Sequence, residues 1–119
     1  MDYSQLSDQE INLLVAKIQH PDKTFIESKT RQPSVVMLNH INMWIDYCNN
    51  PADAWPIILE HGISFAFDKN EDEWVAWGDF AFDLAGWDMK EQPAEYKHHV
   101  NPLRAAMIVF LMMQESQHA

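Results

Sequence analysis

The sequence predicts a single α+β domain over residues 1–119, with a small antiparallel sheet of three to four strands and about three helices. Three observations support this prediction. One capping box and two Asn-Pro pairs mark three helix starts. Apolar and polar residues alternate between those starts, which is typical of strands. The length of 119 residues is close to the commonest domain size and leaves no room for two independent cores.

The first predicted helix follows Ser7, because Ser7-Asp8-Gln9-Glu10 has the pattern of a capping box. Aliphatic residues then recur at a helical spacing that places them on one stripe, and Pro21 ends the pattern. The stripe consists of Ile11, Leu14, Val15 and Ile18. The polar segment 20–33 contains two prolines and a local basic cluster, Lys23, Lys29 and Arg31, and we expect a loop there.

Residues 34–47 are rich in β-branched and aromatic side chains, so we expect one or two strands. A second helix is predicted from Pro51 toward His61, because Asn50 is a good cap and proline loses no hydrogen bond at the first helical position. Pro56 removes a backbone bond inside this helix and predicts a bend. Gly62 supplies the left-handed residue that ends the helix.

The last elements are a hairpin and a C-terminal helix. Residues 63–67 and 74–77 flank a polar turn at 68–73, a pattern that predicts a β-hairpin. Residues 78–100 mix aromatic residues with charges and histidines, and no element is predicted there. Asn101-Pro102 repeats the cap-plus-proline start, and the helix after it has one apolar face. Its methionines are expected in the core, with a dimer face as the alternative.

Charge and composition argue against several classes of protein. Eighteen Asp and Glu against eight Lys and Arg give a formal net charge of −10, which repels phosphate backbones and anionic lipid surfaces, so we expect no direct binding of nucleic acid or membrane. The N-terminus lacks the pattern of a secretion signal. The most apolar run, 105–113, is about half the length of a membrane-spanning helix. We therefore expect a cytoplasmic protein.

No combination of residues predicts catalysis, a metal site or a cofactor. The turn at 68–72 spaces oxygen ligands at alternate positions as an EF-hand loop does, but Glu73 stands where that loop needs glycine, so a solvated turn is the better interpretation. The six histidines lack the spacing of zinc ligands. The single cysteine, Cys48, sits at a predicted strand-to-helix junction, where a small buried hydrophobe is usual. We expect no enzyme activity, no cofactor and no metal.

A candidate partner-binding surface lies between residues 68 and 95, where nine acidic residues are interleaved with aromatic residues. Aromatic anchors within an acidic surface suit a basic protein partner. The candidate residues are Trp74, Trp77, Asp79, Asp83, Trp87 and Asp88. In the alternative interpretation, the aromatic residues build the core and the acidic residues only face water.

Three segments resemble the NinX-like proteins of lambdoid phages and prophages. They are Leu6-Ser7-Asp8-Gln9-Glu10-Ile11-Asn12, Tyr47-Cys48-Asn49-Asn50-Pro51-Ala52-Asp53-Ala54-Trp55-Pro56-Ile57-Ile58 and Asn101-Pro102-Leu103-Arg104-Ala105-Ala106-Met107. The resemblance runs in order along almost the whole chain, although residues 20–46 match little. It implies an α-β-α sandwich, a location in the host cytoplasm and an accessory role among genes linked to recombination and late regulation. It implies no activity and no functional residues.

These observations lead to one hypothesis and two alternatives. The chain is expected to be a phage or prophage accessory protein that acts as a non-enzymatic binding module on a host or phage protein, as a monomer or homodimer. In the first alternative it is an acidic DNA mimic, whose spaced carboxylates imitate phosphates and occupy a host nucleic-acid-binding protein. The second alternative is a small enzyme or metal protein.

Overall fold

The computed structural model of the chain describes residues 2–39, 41–78, 82–83, 88–89 and 96–118. Within these residues a short 3-10 helix, Tyr3–Gln5, precedes three α-helices and eight strands. The helices are α1 (Asp8–Gln19), α2 (Pro51–His61) and α3 (Pro102–His118). The strands are β1 (Thr24–Glu27), β2 (Val35–Leu38), β3 (Met43–Ile45), β4 (Ser64–Asp68), β5 (Glu73–Trp77), β6 (Phe82–Asp83), β7 (Asp88–Met89) and β8 (Tyr96–His99). The predicted α+β class is confirmed.

Each α-helix begins at its predicted cap. Before α1, the Ser7 hydroxyl accepts from the Glu10 amide at 3.1 Å, and the Glu10 carboxylate accepts from the Ser7 amide at 3.0 Å. Asn50 and Asn101 each accept from the amide two residues further on, at 3.1 and 2.9 Å. Gly62 ends α2 with a φ of 62°, a left-handed conformation that favours glycine. The three predicted helices are therefore confirmed.

The first sheet is antiparallel, with strand order β1-β2-β3. Two of its strands, β2 and β3, lie in the segment where one or two were expected. The prediction of a loop over 20–33 is wrong for Thr24–Glu27, which pairs with β2 from Thr24↔Leu38 to Glu27↔Val35. This four-residue strand is defined by its long-range partner, and its own local pattern is too short to indicate it.

The second sheet has strand order β4-β5-β8, also antiparallel. The predicted hairpin is confirmed as β4 and β5, paired from Ser64↔Trp77 to Asp68↔Glu73. β8 joins it from within the segment 78–100, for which no element was predicted. β6 and β7 form a separate two-stranded ribbon. The strands are thus divided among more than one sheet, where the sequence predicts one sheet of three to four strands.

The core centres on α3, which contacts all three strands of the second sheet and also packs against α1 and α2. α1 in turn covers β1 and β2. Residues 104–111 of α3 are buried without interruption, and Met107 and Met113 are 0% and 4% exposed, which confirms the expected core position of these methionines. None of the helices in the described part of the chain has the length and apolar character needed to cross a membrane.

Candidate functional site

Of the six predicted partner-binding residues, two have described side chains. Trp74 and Trp77 lie on β5 and are half-buried. The backbones of Asp83 and Asp88 lie opposite each other on β6 and β7. Asp79 and Trp87 lie outside the described residues. Whether the six predicted residues share one surface therefore stays a prediction.

Trp74 belongs to an aromatic cluster with Phe65 and Phe67 of the neighbouring strand. Phe67 is its direct partner across the strands, so both side chains lie on the same face of the sheet. The Trp74 ring meets the rings of Phe67 and Phe65 edge to face, at centroid distances of 5.4 and 5.9 Å, a favourable aromatic geometry. Phe67 is 44% exposed, and the cluster is therefore accessible at this end of the sheet.

The acidic turn, residues 68–73, follows directly after Phe67. Asp68 shapes it by accepting from the amides of Asn70 and Glu71 at 3.0 and 3.4 Å. Glu71 and Asp72 are exposed, and Asp72 has a φ of 57°. The turn holds four carboxylates against one lysine. A partly exposed aromatic cluster thus borders a local excess of negative charge.

Two tryptophans that the sequence analysis did not select are more exposed than Trp74 and Trp77. Trp44 on β3 is 42% exposed, with the Arg31 guanidinium 4.1 Å from its ring centre. Trp55 on α2 is 50% exposed, and Leu59, one turn further on, is 62% exposed. The helical period identifies this pair, because it places them away from the buried stripe of α2. That stripe is Ala54, Ile57 and Ile58.

Trp55 and Leu59 line an open groove of about 440 Å³ between α2 and β4. The groove is mostly apolar. Its other lining residues are Ile58, Gly62, Ile63, Ser64 and Phe65. Because Phe65 also belongs to the aromatic cluster, the groove and the cluster form one continuous apolar surface that ends at the acidic turn.

A second feature is a buried polar network that joins the starts of the three helices. Arg104 on α3 donates to the Asp8 carboxylate at 2.6 Å and to the Leu6 carbonyl at 2.7 Å. The Asn12 side chain accepts from the Cys48 amide at 3.0 Å, and Asn101 donates to the Cys48 carbonyl at 2.7 Å. The network therefore connects the three segments that resemble the phage family.

The electrostatics of this network do not suit nucleophilic catalysis. Burial, together with the nearby Asp8 carboxylate, raises the pKa of the Cys48 thiol far above its ordinary value, so little thiolate forms at neutral pH. Burial lowers the pKa of His99, and the charge of Arg104 lowers it further. The Nδ1 atom of His99 accepts a hydrogen bond from the Asn101 amide at 2.9 Å. Among the described residues, no three His, Cys, Asp or Glu side chains are grouped so as to hold a metal ion.

A comparison with protein families gives a match over almost the whole chain. The family model described as "Bacteriophage P22, NinX" matches residues 2–114. No curated protein and no solved structure matches the chain. The matched range contains all three segments of the buried polar network, the groove and the acidic turn.

Proposed function

We propose a function for this chain from the premise that it belongs to the NinX family of bacteriophage P22, whose model matches residues 2–114. It is a phage accessory protein. Its proposed role is to bind a host or phage protein in the host cytoplasm, without catalysing a reaction.

One observation chiefly supports this role, namely the aromatic cluster beside the acidic turn. A buried sheet face explains a half-buried Trp74, but it does not explain Phe67, which keeps 44% of its surface exposed next to Asp68. Exposed aromatic side chains are frequent energetic anchors at protein interfaces, and a charged rim steers a partner of opposite sign. The proposed partner surface is therefore basic.

The state of the reactive side chains supports a non-enzymatic role. Cys48 is fully buried, and its pKa is raised by that burial. A nucleophile needs a depressed pKa or an adjacent base, and a general acid or base needs access to a substrate. Cys48 does not meet the requirements for a nucleophile, so binding is the better interpretation.

The test is capture of partner proteins by the purified chain from a lysate of phage-infected cells, quantified by mass spectrometry. We expect Phe67→Ser, and separately the double variant Glu71→Lys with Asp72→Lys, to lose the captured partner. Ile26→Ser is the matched control, because Ile26 is 51% exposed but lies on the first sheet.

Equal capture by all variants contradicts the proposed surface. Capture that depends on Glu71 and Asp72 but not on Phe67 points to the charge-mimic alternative, in which carboxylates alone replace phosphates. Such capture also falls steeply with salt.

A further inference from the structure

We infer that the groove between α2 and β4 extends the partner-binding surface and receives one large apolar side chain from an extended, basic segment of the partner. The inference rests on the proposed function, because it assigns a second contact to the same partner. It concerns Trp55 and Leu59, which the sequence pattern associates only with a helix.

The first step is the exposure of the groove. Trp55 and Leu59 are 50% and 62% exposed, and both lie on the face of α2 that points away from the core. Single exposed apolar residues are common on soluble proteins. Here the two side chains face Phe65 of β4 across the groove and make a contiguous apolar concavity, which is typical of interaction sites.

The second step is continuity with the acidic turn. From the groove, the apolar path runs through Phe65 to Trp74 and then to Phe67, with ring centroids 5.9 and 5.4 Å apart. Asp68 follows Phe67 directly and begins the turn with its carboxylates. A partner that reaches both ends therefore offers an apolar side chain at one end and positive charge at the other.

The third step is the position of β4. The strand order β4-β5-β8 places β4 at the edge of the second sheet, and β5 is its partner among the described strands. An edge strand presents backbone donors and acceptors, to which an extended segment can add as a further strand. Because β4 is an edge strand, the partner segment that binds beside it is expected to be extended.

The distance between the two ends sets the spacing within the partner. From Ser64, which lines the groove, to Asp68 the strand advances four residues, or about 13 Å at about 3.3 Å per residue. An extended segment that matches this distance has its apolar residue and its basic residues about four positions apart.

The test uses a synthetic probe peptide, Lys-Lys-Thr-Val-Thr-Leu-Thr-Thr, and the same sequence in reverse order, since an added strand can run in either direction. Binding to the full chain is measured by calorimetry. We expect one order to bind, and Leu59→Ser and Trp55→Ser each to weaken it about tenfold through lost apolar contact. The matched controls Ile26→Ser and Trp44→Ser, half-exposed residues of the first sheet, leave the affinity unchanged.

A second peptide, with Ser in place of Leu, completes the test. It binds the wild-type chain about tenfold more weakly and loses no further affinity on Leu59→Ser, because the groove contact is already gone. The inference is overturned if neither order binds, if Leu59→Ser binds as the wild type does, or if the Leu and Ser peptides bind equally.

The natural partner separates this inference from the function on which it rests. If Glu71→Lys with Asp72→Lys loses the captured partner while Leu59→Ser and Trp55→Ser retain it, the inference fails and the proposed function stands. If all of these variants retain the partner, the proposed surface itself is wrong. Circular dichroism and thermal unfolding establish that each variant is folded.

Discussion

Asn101 combines two structural roles that substitution can separate. Its side-chain oxygen caps α3 by accepting from the amides of Leu103 and Arg104, at 2.9 and 3.3 Å. Its side-chain nitrogen donates to the Cys48 carbonyl at 2.7 Å, across 53 residues of sequence. Serine caps helices about as well as asparagine but has no second group to reach Cys48. Asn101→Ser therefore removes the long-range bond and retains the cap.

The matched control is Asn50→Ser at the start of α2. Asn50 caps its helix in the same way, through the Ala52 amide at 3.1 Å. Its side-chain nitrogen donates to Asp53 of the same helix, also at 3.1 Å, at an exposed position. Because water replaces that bond readily, we expect Asn50→Ser to change the free energy of unfolding by no more than about 0.5 kcal/mol.

The Asn101 substitution is expected to be much more damaging. Cys48 is fully buried, so its carbonyl is left without that partner, at a desolvation penalty of about 1–3 kcal/mol. We expect a total loss of about 2 kcal/mol. In urea unfolding followed by tryptophan fluorescence, this is a fall of roughly 1 M in the midpoint, for a slope of about 2 kcal/mol/M.

Equal losses for Asn50→Ser and Asn101→Ser refute this reasoning. Such a result means that both asparagines act only as helix caps and that the bond from Asn101 to Cys48 does not contribute to the free energy of unfolding. The reasoning is also contradicted if Asn101→Ser lowers the free energy of unfolding and changes the slope of that free energy against urea. A changed slope indicates that the compactness of the unfolded or native state has changed, which the loss of one bond does not explain.

Three further predictions concern the buried groups around α3. Cys48 is buried with a raised pKa, so iodoacetamide should alkylate it slowly in the folded chain and rapidly in urea, measured by mass spectrometry. Burial and Arg104 lower the pKa of His99, so below about pH 6.5 the unfolded chain binds a proton that the folded chain does not, and stability falls as the pH decreases. Urea midpoints at pH 7 and 5.5 should show this fall in the wild type and a smaller one in His99→Gln. Gly78→Ala places a Cβ 2.5 Å from the Met113 sulfur, so we expect a loss of about 1–3 kcal/mol, part of which a second substitution, Met113→Leu, restores.

The helices were predictable from sequence because their boundaries depend on residues within a few positions of each other. The bonds between Ser7 and Glu10, and those of Asn50 and Asn101 to amides two residues away, are local. The left-handed Gly62 is likewise a property of one residue. None of these features requires knowledge of distant contacts, and the same holds for the hairpin of β4 and β5, whose strands are joined by a short turn.

The first sheet and the exposed surface were less predictable because they depend on contacts between distant residues. β1 is a strand because Thr24–Glu27 pairs with β2, and its flanking lysines and prolines conceal that pairing. The exposure of a side chain also depends on which faces of the helices and sheets pack against each other. Trp74 was selected for its acidic neighbours and is half-buried, whereas Trp55 belongs to an apparently ordinary helix and is half-exposed. The alternative that the aromatic residues of segment 68–95 build the core thus describes Trp74 in part.

Substitutions in the buried network and substitutions in the groove are expected to have different effects. Asp8, Asn12, Cys48, Asn101 and Arg104 bond to one another, so changing one leaves a buried partner unsatisfied. Most of these bonds join residues at the starts of the three helices, and the role of the network is to fix those starts.

Trp55 and Leu59 lie outside this network, and their exposed side chains contribute little to the core. Substitution there should alter binding while the stability changes by about 0.5 kcal/mol or less, the range typical of surface positions. The buried network therefore fixes the helix starts, whereas the groove and the acidic turn supply the proposed partner contacts.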